Sequence, residues 1–394
     1  MSDEVKAGVV EVDGATLTRT QVWALIGMGV LALLSTGVMS ALLGAMADEK
    51  RLSHGGIGYA ATLEALMMAF STGIASVFFN PHRLRLVGSI ATLALVVANV
   101  ATMGASGEGV YVIRGLAGFA EGALLWLASS MIVRTETPAR WAALLFLSLS
   151  LLQLAVSALL GAWTLPRYGA DGGYLLLAVI TLVGLALAAL SPRALGALPG
   201  IAGETHGLPT ARGWIALLAT VLFTGAIAAV SVYLVPLAQD AGLSVASARL
   251  ALSAGLGAQI IGSIFATLLA GRARYLPVFA LVTAGYLAVW AFYTMPTTTW
   301  PFVIVTAASG VVAMFVSPFL LPLLINADTT RRAALQAPAA QLLSGGLGPF
   351  AAAWAVESGG MRLMLQISAA LLVAGFVIIL VIRQRDVDQG SQLR

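Results

Sequence analysis

Apolar runs of about 18 to 25 residues follow one another along the chain, and the short segments between them hold most of the charge. A helix of that length crosses a hydrocarbon layer of ~30 Å. Twelve such runs are legible, at 21–46, 56–79, 86–104, 109–133, 141–165, 172–191, 214–238, 246–270, 275–294, 300–326, 334–356 and 361–383. The longest break, SPRALGALPGIAGETHGLPTARG from Ser191 to Gly213, is rich in glycine and proline and parts the runs six and six. The pattern predicts an all-α membrane protein of twelve transmembrane helices in two six-helix bundles. Its parts are a cytoplasmic tail at 1–20, an N-terminal bundle at 21–191, a cytoplasmic linker at 192–213, a C-terminal bundle at 214–383 and a cytoplasmic tail at 384–394.

Composition agrees with the pattern: of 394 residues, 59% are hydrophobic and 10% charged, far from the balance of a soluble domain. No cysteine is present, which removes disulfides, thiolate metal sites and thiol nucleophiles. The net charge of +4 is spread in small groups rather than gathered into a patch, so no nucleic-acid partner is expected. The basic residues act instead as topology signals. With the amino terminus inside, fifteen of the 21 Lys and Arg residues fall on the inner side, and the positive-inside rule puts both termini in the cytoplasm and the protein in the inner (plasma) membrane.

The halves resemble each other. ETPARWA, Glu136 to Ala142, matches DTTRRAA, Asp328 to Ala334, at a constant offset of 192, each just after the fourth run of its half. Repeated bundles of this kind hold a ligand near the membrane midplane between the halves, and rocking of one half against the other exposes it to each side in turn.

One run carries opposite charges. RGLAGFAEG, residues 114 to 122, places Arg114 and Glu121 seven residues apart. Seven steps of ~100° return to within about 20° of the same face, ~10.5 Å along the axis, with Gly118 between them. A charge at the bilayer centre costs roughly 2.5 to 3.5 kcal/mol even on lenient scales, so this face must look into the bundle or a cavity. Glu64, in the second run, lies at a depth close to that of Arg114 and is expected to pair with it in a gating contact. Arg114 keeps its proton under ordinary conditions, so it is a fixed cation for a substrate carboxylate or for Glu121. Glu121 and Glu64 suit proton coupling, because burial and a neighbouring guanidinium push a carboxyl's protonation in opposite senses. The plainer reading of Arg114 and Glu121 is a structural ion pair that fixes bundle packing, and that of Glu64 is a hydrogen bond to a neighbouring helix.

The fourth-run arginine motif resembles the signature of the major facilitator superfamily, and the likeness covers about residues 20 to 385. YLVPLAQDAGLS, Tyr233 to Ser244, followed by GRAR, Gly271 to Arg274, is similar to the opening of that superfamily's second bundle. The stretch GIASVFFNPHRLR, Gly73 to Arg85, departs from it by lacking the usual acid before its basic cluster, as does GSIFATLLAGRAR in the second half. Arg and Glu seven apart most resemble the anion:cation symporters, with lysophospholipid and sphingolipid exporters of the spinster type also similar. The fifth run lacks the Gly-x-x-x-Gly-Pro of drug/proton antiporters.

The resemblance implies a secondary active transporter with the major facilitator fold, moving a small organic anion by alternating access with protons or sodium. Glu121 favours protons, and charge on one wall with apolar groups on the other favours a carboxylate of aromatic or amphiphilic character over a polyhydroxy sugar. The alternatives are an exporter of lipophilic, zwitterionic or lysolipid-like compounds and a non-transporting assembly factor or receptor. The partners expected are a small-molecule substrate, protons and the lipid bilayer, with the chain a monomer and without cofactor.

The second bundle has no charge deep in its runs. Its substrate-facing candidates are Tyr233, Phe315, Phe319 and Gln341, with Gln259 and Pro318 beside them, though such aromatics and prolines serve packing or kinks more often than ligands. Pro349, in SGGLGPF, should bend the eleventh run and is a candidate gate or a packing site. His54, His82 and His206 fall in predicted loops without metal-ligand spacing, and no phosphate-binding loop is present, so no enzyme reading survives.

Overall fold

A computed structural model describes residues 9–12, 15–199 and 207–392. Glu204 and His206 of the linker lie outside the described residues, as does the side chain of His54. Part of the expected tail is ordered as two antiparallel strands, β1 (Val9–Val12) and β2 (Ala15–Thr18), in register from Val9 with Thr18 to Val12 with Ala15. The β-branched residues in VVEV and ATLT favour that pairing.

The first helix, α1, is Arg19–Asp48. It starts where Thr18 accepts from the Gln21 N–H while Gln21 Oε1 accepts from the Thr18 N–H at 3.0 Å, a reciprocal cap. Then come α2 (His54–Phe78), α3 (Leu84–Met103), α4 (Glu108–Arg134), α5 (Pro138–Leu159), one π turn, and α6 (Leu165–Leu190). The second half holds α7 (Ala211–Val232), α8 (Leu234–Asp240), α9 (Val245–Leu269), α10 (Tyr275–Tyr293), α11 (Thr299–Val316), α12 (Leu320–Ala327), α13 (Arg332–Leu335) and α14 (Ala337–Gln392). Helix α14 thus continues through residues expected as a tail.

Among the described residues, 10 helical stretches are long and apolar enough to cross a membrane. Two of them, of 53 and 47 residues, are far longer than a ~30 Å hydrocarbon layer requires. Each is broken at a glycine in left-handed backbone: Gly169 (φ 60°) before the body of α6, and Gly360 (φ 75°) within α14. The breaks fall between the fifth and sixth and between the eleventh and twelfth apolar runs of the sequence. The seventh run is divided as α7 and α8 because Pro236 has no N–H for the carbonyl of Val232.

The chain forms two compact units. The first contains Met1–Pro138, Ser148–Leu208 and Thr330–Leu342; the second contains Ala139–Leu147, Pro209–Thr329 and Leu343–Arg394. In the first unit, Leu34, Val38, Leu42 and Met46 of α1 pack with Val110 of α4, Val156 of α5 and Tyr174 and Leu177 of α6. Helix α3 leaves Leu86, Ile90, Leu93, Val97 and Val100 exposed at helical spacing, the stripe expected of a lipid-facing surface.

Helices α2 and α4 are in backbone contact. A Cβ on Gly118 would strike the carbonyl of Glu64, one on Gly122 would strike that of Met68, and Thr72 donates to the Gly122 carbonyl at 3.0 Å. At one end of this pair, Arg51 ties three connections together. It donates to the carbonyls of Thr102 (2.8 Å), Met103 (2.6 Å) and Ala105 and to Asp171 (2.5 Å), while Glu49 accepts from the Ala170 N–H (2.7 Å). The guanidinium is held above its usual pKa: burial works against the charge, and the Asp171 and Glu49 carboxylates outweigh it.

At the other end of the pair lies the Thr330–Leu342 segment. Arg331, left-handed at φ 59°, donates to the carbonyls of Val133 (2.6 Å) and Thr135 (3.2 Å), Ser76 donates to Leu335 (3.0 Å), and Gln336 donates to Gly73 (3.1 Å). The last two of these bonds are made by neutral groups, Ser76 and Gly73, of the acid-free GIASVFFNPHRLR stretch.

In the second unit, Phe223 and Phe279 stack edge to face at 5.1 Å within a core running from Ala219 to Ile379. The packing of α2 on α4 has a counterpart in α9 on α11, where a Cβ on Gly310 would strike the carbonyl of Gly255. Gly310 follows Gly118 by the same 192 residues as the repeat motif. Helix α14 packs on α7 through Gly348 against Gly225 and through Thr224 donating to Ser344 at 2.7 Å.

Gly118→Ala is expected to force α2 from α4 and cost about 1–3 kcal/mol. Gly44→Ala, where an added Cβ meets nothing within 4 Å, should be neutral or slightly stabilising. The midpoints of thermal unfolding of the two purified variants check this.

Candidate functional site

The first unit encloses an ionic cluster. Arg114 and Glu121 come from α4, Glu64 from α2, Asn99 from α3 and Tyr174 from α6, and none is more than 5% exposed. Arg114 Nε donates to Glu64 Oε2 at 2.8 Å and Nη2 to Glu64 Oε1 at 2.5 Å, a two-pronged pair. Its Nη1 donates to Asn99 Oδ1 at 2.9 Å, and its carbon end lies 5.5 Å from the centre of the Tyr174 ring. Glu121 stands further off, Oε1 3.9 Å from Arg114 Nη2.

The local fold creates this geometry. Gly118 admits the Glu64 backbone to the surface of α4, and Arg114 lies one helical turn from Gly118 on the same face. The Glu64 side chain therefore reaches the guanidinium directly. Glu121 lies a further turn along, where its Oε2 has no hydrogen-bond partner among the described residues. The Ser35 hydroxyl, likewise unpaired, sits beside that carboxyl.

Two carboxyls thus share one guanidinium out of water. Fully ionised, the cluster carries one uncompensated negative charge, and an uncompensated charge in a buried site is costly. A single proton removes it.

Of the residues singled out in the sequence, Arg114, Glu64 and Glu121 are brought together. Asn99, Tyr174 and Ser35 complete the cluster and were not among them. Asn99 had a signal, an amide in the middle of an apolar run; Tyr174 and Ser35 had none that sets them apart from packing residues. The remaining candidates lie elsewhere. Tyr233 joins α7 to α8, Phe315 and Phe319 stack at 5.4 Å in the second unit with Phe319 in its core, and Pro349 follows the Gly348 contact in α14. Gln341 belongs to the segment that forms part of the first unit.

The second unit contains a cavity of about 270 Å³ instead of a charged cluster, lined by Tyr286, Trp290, Tyr293, Thr306, Gln259 and eleven further residues of α7 to α11 around them, including Gly255, Gly310 and Leu234 of α8. Tyr293 and Thr306 share a hydroxyl contact at 3.1 Å, and Tyr286 donates to the Ser309 carbonyl at 3.2 Å.

No protein-family model and no curated protein sequence matches the chain. Solved structures do share its architecture. A major facilitator superfamily transporter, FucP, in the outward conformation aligns at 14% identity over 92% of this chain and 98% of its own, with a TM-score of 0.70. A structure of the E. coli fucose:proton symporter FucP aligns at 13% identity over 92% and 98%, TM-score 0.71. The proton:xylose symporter XylE bound to 6-bromo-6-deoxy-D-glucose aligns at 14% over 91% and 94%, TM-score 0.65. The chain therefore has the fold of the major facilitator transporters and is a multi-pass membrane protein. Each of these three structures is of a transporter, not an enzyme.

Arg114→Leu should cost about 3–5 kcal/mol, because it strands a buried carboxylate. The double variant Arg114→Leu/Glu64→Leu should recover most of that loss. Thermal unfolding of the single and double variants in detergent measures the recovery.

Proposed function

We propose that the protein is a secondary active transporter that crosses the plasma membrane twelve times and moves a small organic anion together with protons by alternating access. The two long helices broken at Gly169 and Gly360 each count as two crossings. The observation that carries the functional reading is the engagement of Arg114 by Glu64, with a second carboxyl, Glu121, held 3.9 Å away.

The chemistry follows from the charge count. Glu64 makes two charge-assisted bonds and is the ionised partner; Glu121, with one oxygen unpaired, holds the single proton. Glu121 passes its proton to Glu64 and is itself reprotonated from solution, which dissolves the ion pair and leaves the guanidinium as a fixed cation. A substrate carboxylate then takes the place of Glu64 on the same planar fork. Proton and anion load together because each removes the obstacle to the other. The proton symporters of fucose and xylose that share the fold support the proton half of this reading. The arginine supports the anion half.

Uptake into proteoliposomes under an imposed pH gradient tests it, with a panel of radiolabelled aromatic and aliphatic acids. Arg114→Gln should abolish anion binding and uptake. Glu121→Gln should leave solute exchange and remove pH-driven accumulation, so that the inside-to-outside ratio falls to about one, the value for solute flow without an ion gradient. Absence of gradient-driven uptake for every acid in the panel, with neutral sugars accumulated instead, would sink the anion assignment.

A further inference from the structure

We infer that the cavity inside the second unit is a binding site for a neutral ring-bearing molecule with one or two hydrogen-bonding groups, an aromatic or alicyclic alcohol by chemical class. It is separate from the Arg114 cluster and does not rest on the anion reading.

The internal repeat explains why a cavity exists here. Thr306, Gly310 and Ala313 line it, and they follow Arg114, Gly118 and Glu121 by the same 192 residues. The Gly255 carbonyl that faces Gly310 is the counterpart of the Glu64 carbonyl that faces Gly118, so Gly255 stands where Glu64 does. Three charged side chains fill this position of the bundle in the first unit; Thr, Ala and Gly replace them in the second. The helices approach as closely in both, because the glycine-to-carbonyl contact is kept. Removing the large side chains therefore leaves space instead of a collapsed core.

The walls define the ligand. No Lys, Arg, His, Asp or Glu lines the cavity, so an ion would lose its water without compensation. Tyr286 and Trp290, with ring centres 5.5 Å apart, and Tyr293 offer flat apolar faces. The hydroxyl contacts of both tyrosines fix those rings in place. Among the described residues, neither the Gln259 amide nor the Trp290 indole N–H has a hydrogen-bond partner. A free donor and acceptor beside aromatic faces suit a ring with a hydroxyl group. At about 270 Å³ the cavity is just under the ~300 Å³ at which small-molecule pockets begin, which selects a compact ligand.

The probe pair is 2-(4-bromophenyl)ethanol and 4-bromophenylacetate, which share a bromine that quenches tryptophan and differ in charge. With the full chain purified in detergent, the alcohol should quench fluorescence saturably and the carboxylate should not. Trp290→Phe should remove the saturable part. Gln259→Leu should weaken binding roughly tenfold, the factor for one lost hydrogen bond, and Ala313→Phe, which fills the cavity, should weaken it by at least as much. Equal saturable quenching by the carboxylate, or an unchanged affinity in Gln259→Leu, overturns the proposal, and neither result bears on Arg114. A tightly bound lipid seen by mass spectrometry, lost in Ala313→Phe and not displaced by the alcohol, would overturn it in favour of a lipid site.

Discussion

Arg114 is a permanently charged group buried in a protein whose surroundings are hydrocarbon, and the rest of the first unit is arranged around that constraint. Isolated there, it would cost several kcal/mol. Glu64 supplies two of its hydrogen bonds, Asn99 a third and the Tyr174 ring a face, so α2, α3, α4 and α6 all converge on one guanidinium. Gly118 is part of the same device: without it α2 could not come close enough for a short side chain to make a two-pronged contact. The pair is therefore a packing constraint and, on the proposed function, a chemical site as well.

The repeat gives the two units different chemistry on one backbone plan. Each has a pair of helices in glycine-to-carbonyl contact, α2 with α4 and α9 with α11. The first fills the adjoining space with opposite charges, the second leaves it neutral, aromatic and open. The two sites call for different ligands. The proposals assign a proton and an anion to the first and a neutral molecule to the second.

Much of this was legible in the sequence because membrane insertion imposes a coarse, strong pattern. Apolar runs gave the helices, and Arg114, Glu121 and Glu64 stood out because each is expensive where it lies. Matching depth already suggested Glu64 as a partner of Arg114, but the distances were not legible, since the two-pronged contact and the 3.9 Å to Glu121 depend on the separation of α2 and α4. Breaks at Gly169 and Gly360 lie inside continuous helical stretches, because a single left-handed residue redirects a helix without a polar loop to mark it. Tyr286, Trp290 and Tyr293 carried no signal, since aromatic residues in an apolar run look alike whether they pack or line a cavity. Gln259 did carry one, being polar in a run that is otherwise apolar.

The account turns on the protonation of the buried cluster, which infrared spectroscopy reads directly. Difference spectra of the purified protein at neutral pH, wild type against Glu121→Gln and against Glu64→Gln, should reveal one protonated-carboxyl stretching band that disappears in Glu121→Gln. Absence of any such band in the wild type would mean that both acids are ionised beside a single arginine, and would contradict the claim that the cluster carries the coupled proton.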